Sequence, residues 1–201
     1  MDDMIKLIGE ELVVACKRAY KRGIQTGSGG NVSARIPGKD LMLVKESGSS
    51  LGDSTVEGFV ITDFDGNMVQ GTGKPTREAF LHGFLYKLCL NVNAIVHFHA
   101  PYAIGWSSVG KDLPRVTWHS KLKIDSDIPV INIPSAMVRK EDAPLIEAVL
   151  KEHPKLPGFI LADHGIVAMD KDPLNALHTA ELIEETAQVA ILKGLVSKLS
   201  L

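Results

Sequence analysis

The chain has 201 residues, 45% of them apolar and 23% charged, with a formal net charge of −2 at pH 7. These values are typical of one globular domain, here residues 1–201, and they exclude a general nucleic-acid-binding protein. No apolar run reaches the roughly 18 residues of a membrane helix, and no signal peptide is recognisable, so we expect a cytoplasmic protein. Cys16 and Cys89 lie in apolar helical contexts and are interpreted as buried thiols.

The N-terminal part of the chain is predicted to form a helix followed by short strands. Apolar residues recur at helical spacing over 4–22, and Gly23 is suited to end this helix. The predicted strands are 32–36, 41–44, 59–62 and 67–70, with Asp65-Gly66 as a hairpin turn between the last two.

The C-terminal part alternates strands with helices. Thr76 is a suitable N-cap for a helix that ends near residue 88. The pattern then predicts strands at 94–99, 130–133, 158–162 and 166–169, and helices at 100–109, 143–152 and 173–199. This order of elements predicts an α/β domain with a mostly antiparallel sheet.

Two histidines end the predicted strand 94–99. His97 and His99 are separated by one residue, so their side chains point to the same face of a strand. His164 follows another apolar strand within an Asp-His-Gly turn. Three imidazoles at strand ends suggest a catalytic metal site with one position left open for substrate. The alternative is a set of packed histidines bonded to the backbone.

A carboxylate lies 19 residues before His97, at the third position of the predicted helix. Glu78 could ligate the metal or transfer a substrate proton, and it could also be an acid that only stabilises the helix N-terminus. His82 lies one turn later on the same face, where a packed histidine is the simpler interpretation and a supporting role near the metal is the alternative.

Two loops rich in glycine and serine could bind an anion. Their backbone N–H groups and hydroxyls, around Asn31 and at Ser47-Gly48, could form nests for a phosphate or carboxylate. Thr76 and Arg77 could add a hydroxyl and a bidentate cation. Plain turns are the alternative, and neither loop matches a nucleotide-binding fingerprint.

Taken together, these motifs resemble the class II aldolase/adducin family over nearly the whole chain. The resemblance rests on Gly30-Asn31-Val32-Ser33, Ser47-Gly48, Pro75-Thr-Arg-Glu78 with His82, His97-Phe98-His99, and His164-Gly165. It implies a single-domain α/β/α sandwich with a mostly antiparallel sheet, commonly a homotetramer with sites at subunit interfaces.

The resemblance also implies a function and a set of site residues. Zinc, or another divalent metal, would bind His97, His99 and His164, with Glu78 as fourth ligand or catalytic acid/base. The residues Asn31, Ser47, Gly48, Thr76 and Arg77 would bind the phosphate of a small phosphorylated sugar or sugar acid. The implied reaction is cleavage of a C–C bond by an L-fuculose-1-phosphate aldolase-like lyase, through an enediolate that the metal stabilises.

One departure from the family pattern keeps other activities open. Trp118 stands where the sugar-phosphate aldolases have a proton-donating tyrosine, and Tyr102 or His119 would have to replace it. A decarboxylase of the 3-oxo-tetronate 4-phosphate type needs less from such an acid. An epimerase or dehydratase on the same metal site, an iron oxygenase, and an adducin-like interaction module without catalysis are the remaining alternatives.

Overall fold

A computed structural model of the protein describes residues 3–199. The helices are α1 Asp3–Lys21, α2 Ala79–Leu88, α3 Pro101–Ser107, α4 Trp118–Lys123, α5 Ala143–Glu152 and α6 Pro173–Val196. The strands are β1 Asn31–Arg35, β2 Leu41–Lys45, β3 Phe59–Asp63, β4 Met68–Gln70, β5 Ala94–Phe98, β6 Val130–Ile131, β7 Gly158–Leu161 and β8 Gly165–Asp170. Short 3-10 turns cover Leu51–Asp53, Val56–Gly58 and Lys140–Asp142.

All eight strands form one sheet in the order β4-β3-β2-β1-β5-β8-β7-β6. Only the pair β6–β7 is parallel, so the prediction of a mostly antiparallel sheet is confirmed. The central strand β5 pairs with β1 on one side and β8 on the other. Because strands distant in sequence meet here, residues selected separately along the chain come together at the middle of the sheet.

Successive side chains of the central strands point to opposite faces of the sheet, so the core has two layers. In β5, Val96 and Phe98 belong to the apolar cluster that contains residues of α1, α3 and α6. Ile95 belongs to the opposite cluster, with residues of α2 and α5. A sheet with both faces covered needs such continuous apolar strands. The observed architecture is therefore the α/β/α sandwich that the resemblance implies.

The start of α2 differs from the prediction. Thr76 is not the N-cap, because the helix begins at Ala79 with Glu78 as its N-cap residue. The backbone N–H of Thr76 donates to the carbonyl of Lys45, and Glu46 forms a β-bridge with Pro75. This segment is thus paired with the end of β2 and becomes helical only after Glu78, which is not at the third position of the helix.

Other differences concern short elements. The helix α4 is missing from the sequence prediction because six residues are too few for a recognisable period. It is fixed instead by a capping box, in which Thr117 and Ser120 satisfy each other's backbone N–H groups. β6 has only two residues. Cys16 is buried, as expected, while Cys89 is partly exposed, and both are free thiols.

Within residues 3–199, no helix combines the length and apolar character needed to cross a membrane.

The contact between α2 and the β3–β4 turn predicts a specific requirement for glycine at position 83. A Cβ at Gly83 would lie 2.0 Å from the carbonyl oxygen of Phe64, so Gly83→Ala is expected to lower the free energy of unfolding by about 3 kcal/mol. The control is Gly194→Ala in α6, where a Cβ meets nothing within 4 Å and helix propensity favours alanine by about 1 kcal/mol. Urea denaturation measures both, and equal stabilities would contradict the prediction.

Candidate metal centre and active site

Three histidines meet at one end of the central strands. His97 lies near the end of β5, His99 follows that strand, and His164 lies in the turn between β7 and β8. One ligand atom from each lies within 4.8 Å of the others, and the ring centroids are 4.6 to 5.1 Å apart. The structure thus brings together the three histidines selected from the sequence, in an arrangement that could hold one metal ion.

The ring of His97 is fixed in one tautomer. Its Nδ1–H donates to the carbonyl oxygen of Ile166 at 3.0 Å, which leaves a lone pair on Nε2. Burial lowers the pKa of His97 to about 4, so the ring is neutral near pH 7. A neutral imidazole with one nitrogen held by the backbone is the form in which histidine binds metals.

His99 and His164 are held through the backbone around them. The side-chain Oε1 of buried Gln25 accepts a hydrogen bond from the N–H of His99 at 2.7 Å. A Cβ at Gly29 would lie only 2.8 Å from Nδ1 of His99, so glycine leaves room for that ring. In the other turn, Asp163 has a left-handed φ of 55°, a conformation that aspartate tolerates better than most residues.

The carboxylate of Glu78 lies beside the histidines. Its Oε2 is 3.3 Å from Nε2 of His97 and accepts a hydrogen bond from Nδ2 of Asn31 at 2.9 Å. Its Oε1 is 3.9 Å from Nε2 of His164. Burial raises the pKa of Glu78, but the hydrogen bond from Asn31 stabilises the carboxylate, and the pKa lies below its usual value. Glu78 is therefore ionised at neutral pH.

Unsatisfied polar atoms show that these residues fit a metal ion. Among residues 3–199, the buried side-chain atoms without a hydrogen-bond partner are Thr62 Oγ1, Glu78 Oε1, His97 Nε2 and His164 Nδ1. Three of them belong to the cluster, where unpaired atoms are costly unless another group satisfies them. Imidazole nitrogens with one carboxylate oxygen suit Zn²⁺ and several other divalent ions.

A cavity of about 400 Å³ opens beside this cluster. Glu78, His99 and His164 line it together with every residue selected as substrate-binding, namely Asn31, Ser47, Gly48, Thr76 and Arg77. The N–H of Ser47 donates to the carbonyl of Lys74, which joins the Ser47-Gly48 loop to the segment before α2. Both predicted anion-binding loops therefore face the same space as the candidate metal ligands.

Two cationic side chains of this cavity are absent from the sequence predictions. Lys45 is buried at the end of β2, its Nζ donates to the carbonyl of Glu46 at 3.1 Å, and burial lowers its pKa. A lysine that ends an apolar strand, two residues before Ser47, was a usable signal. Arg139 enters from the segment after β6, together with Met137, and no local pattern marked either residue.

The cavity lining contains neither Trp118, which stands at the position of the proton-donating tyrosine, nor the two residues considered as its replacements. Trp118 is 81% exposed at the start of α4, and His119 beside it lies 3.7 Å from Glu185 of α6. Tyr102 is exposed at the start of α3. The cavity of one chain is therefore built without these three side chains.

Comparison with known proteins identifies the family. The model of the "Class II Aldolase and Adducin N-terminal domain" matches residues 10–191. The chain belongs to the class II aldolase/adducin family. It is 33% identical to an L-fuculose phosphate aldolase of Methanococcus maripaludis, over 89% of this chain and 93% of that protein.

A second relative and a solved structure extend this similarity. A 3-oxo-tetronate 4-phosphate decarboxylase of Haemophilus influenzae is 33% identical, over 92% of this chain and 88% of the relative. A solved structure of an L-fuculose 1-phosphate aldolase has a TM-score of 0.85 at 25% identity, over 98% of this chain and 89% of that one. These similarities identify the protein as an enzyme of a metal-dependent family, and the relatives named here carry the names of enzymes that act on phosphorylated substrates.

Loss of one imidazole is expected to abolish stable metal binding. His97→Asn removes a neutral Nε2 ligand, so metal content should fall from about one equivalent to near zero after dialysis. The loss of metal affinity should exceed the roughly 10–100-fold that follows from changing a residue that only supports a ligand. His153→Asn, at the end of α5 and outside the cluster, is the control. Elemental analysis of protein purified without chelators measures both, and full metal content in His97→Asn would contradict this assignment.

The metal-free protein is expected to lose stability as the pH falls below about 6.5. Burial lowers the pKa of His97 to about 4 and that of His82 to about 3, from 6.5 in the unfolded chain. The unfolded state then binds more protons than the folded state, and each such histidine costs about 1.4 kcal/mol per pH unit in that window. When the free energy of unfolding is measured by urea denaturation at several pH values between about 5 and 6.5, it should fall less steeply with falling pH for His82→Gln than for wild type. Equal slopes would contradict the prediction.

Proposed function

We propose that this protein is a zinc-dependent lyase that cleaves a C–C bond of a small phosphorylated sugar, in the manner of L-fuculose-1-phosphate aldolase. The observation that carries the proposal is the position of Glu78. This buried, ionised carboxylate contacts His97 and borders the cavity that also contains the two anion-binding loops. A proton-transfer group, a metal-binding cluster and a phosphate-binding surface thus adjoin one space.

His97, His99 and His164 would hold the metal ion, with Glu78 as a fourth ligand before substrate binds. A divalent ion supplies Lewis acidity that stabilises negative charge on substrate oxygens. The chain contributes a rigid ligand set, because His97 is fixed by Ile166 and the N–H of His99 is bonded to Gln25. Rigid ligands need little reorganisation when charge develops.

Glu78 is the group we assign to proton transfer at the reacting carbon. Its Oε2 is engaged by Asn31, whereas Oε1 has no hydrogen-bond partner among the described residues. A carboxylate with one engaged and one open oxygen can accept or return a proton without losing its orientation. Its lowered pKa favours the base form at neutral pH.

The phosphate end of the substrate would lie at the two loops and the start of α2. Ser47 and Thr76 offer hydroxyls and Gly48 offers a backbone N–H, while Lys45 and Arg77 offer positive charge on the same cavity. Charged hydrogen bonds of this kind fix a phosphate in orientation as well as in affinity. Holding the phosphate positions the reacting carbons relative to Glu78.

Decarboxylation of a sugar-acid phosphate is the second candidate. Arg139 adds a further cation to the cavity, which suits a substrate with a carboxylate as well as a phosphate, and Trp118 lies outside the lining. The decarboxylase reaction uses the same kind of charge stabilisation with less demand for a separate acid. The single domain, the homotetramer and the cytoplasmic location remain predictions in either case.

Glu78→Gln is expected to reduce turnover by about 1,000-fold or more, because general-base catalysis contributes roughly 10²–10⁴-fold. The metal should remain bound to the three histidines. The assay uses phosphorylated ketoses and 3-oxo sugar-acid phosphates, with aldehyde and CO₂ release scored separately. Aldehyde supports the aldolase, and CO₂ supports the decarboxylase.

Glu147→Gln is the matched control, since Glu147 pairs with Lys151 on the exposed side of α5. It should retain wild-type turnover and metal content. Unchanged turnover in Glu78→Gln would refute the role of this carboxylate.

A further inference from the structure

A chain of buried hydrogen bonds runs from the core of the protein to Glu78. Tyr86 OH is 2.8 Å from Ser33 Oγ, which is 2.6 Å from Nδ1 of His82. Nε2 of His82 contacts Oδ1 of Asn31, and Nδ2 of Asn31 is 2.9 Å from Oε2 of Glu78. All five side chains are buried, and they connect α2 with β1.

The direction of every hydrogen bond in this chain follows from chemistry. A carboxylate only accepts, so Asn31 must present Nδ2 to Glu78 and keep Oδ1 for His82. His82 therefore donates from Nε2, and its Nδ1 accepts from the hydroxyl of Ser33. Ser33 in turn accepts from the hydroxyl of Tyr86. One arrangement satisfies every member.

We propose that His82 is a positioning residue, whose single Nε2–H tautomer, favoured by the hydrogen bond that Nδ1 accepts from Ser33, keeps the Asn31 amide turned toward Glu78. With the other tautomer, Nε2 of His82 would accept, and Asn31 would have to rotate its amide to donate. Its Oδ1 would then face the carboxylate of Glu78. The repulsion between these oxygens would displace Glu78 from the geometry that proton transfer needs.

The same tautomer also orients the second amide proton of Asn31. Nδ2 carries two hydrogens, and one of them is used by Glu78. Asn31 also lines the cavity. The chain through His82 therefore fixes both the base and a donor available to substrate. This inference rests on the proposed role of Glu78, but the tautomer itself can be observed without catalysis.

The first test is a long-range ¹H–¹⁵N NMR spectrum of the metal-free protein, with the His82 signals identified by their absence from His82→Gln. The expected result is a neutral ring protonated at Nε2 alone, independent of whether any substrate has been found. A ring protonated at Nδ1, or a mixture of tautomers, would overturn the inference while leaving the proposed function intact.

The second test compares two replacements of His82. Glutamine places a donating N–H near the position of Nε2, so His82→Gln should retain kcat within about fivefold of wild type. His82→Met fills the space without a donor and should lower kcat on the order of 30-fold with a smaller change in KM, because the Asn31 amide is then free to turn and its bond to the charged Glu78 is weakened. Equal losses in both variants would overturn the inference. Metal content and thermal stability are measured in parallel.

A pair of hydroxyl deletions decides the question if His82→Met does not fold. Ser33→Ala removes the donor to Nδ1 of His82 and should lower kcat about tenfold and add the second tautomer to the spectrum. Thr186→Val removes another buried hydroxyl, which donates to the carbonyl of Leu182 outside this chain of bonds. Thr186→Val should change neither kcat nor the tautomer of His82. An unaltered tautomer and kcat in Ser33→Ala would overturn the inference.

Discussion

The antiparallel pairing of β1 with β5 is the constraint on which the site depends. In this register Asn31 lies directly across from His97. A slip of β1 by one residue would turn Asn31 to the opposite face of the sheet, away from Glu78. A slip of β5 would likewise exchange its two buried faces and move Ile95, Val96 and Phe98 out of the clusters in which they pack. Core packing thus determines where the candidate ligands lie.

The electrostatics of the site follow from its burial. Burial alone raises the pKa of Glu78 and lowers that of His97, which disfavours charge on both groups. Glu78 nevertheless stays ionised because Asn31 donates a hydrogen bond to its Oε2. A buried anion beside neutral imidazoles leaves unbalanced negative charge, which a divalent cation would neutralise. Both the charge distribution and the buried polar atoms without hydrogen-bond partners therefore favour binding of a metal ion.

Part of this site was predictable because its signals are local. The alternation of His97 and His99 places both on one side of a strand, and the apolar run before them marks that strand. The position of His164 required the fold, since the pairing of β8 with β5 brings its turn beside His97. A Cβ at Gly165 would lie 2.2 Å from the carbonyl of Phe98, so this close approach depends on glycine.

The remaining differences have tertiary causes. The pairing of Glu46 with Pro75 delays the start of α2, which makes Glu78 an N-cap residue rather than a residue within the helix. Arg139 reaches the cavity through a segment without regular structure, where no periodicity exists to be read. Interpreting His82 as a packed histidine is accurate for its burial, but its hydrogen-bond partners come from β1 and could not be inferred from α2 alone.

Buried polar side chains also fix the chain on either side of His99. Gln25 accepts the N–H of His99, and Glu184 of α6 accepts the N–H groups of Tyr102 and Ala103 at the start of α3. Burial raises the pKa of Glu184, and the two backbone hydrogen bonds counteract that effect. A carboxylate at a helix N-terminus is favourable, and here it comes from a different helix. The segment that carries His99 is therefore anchored to two separate parts of the fold, which preserves ligand geometry when the substrate enters.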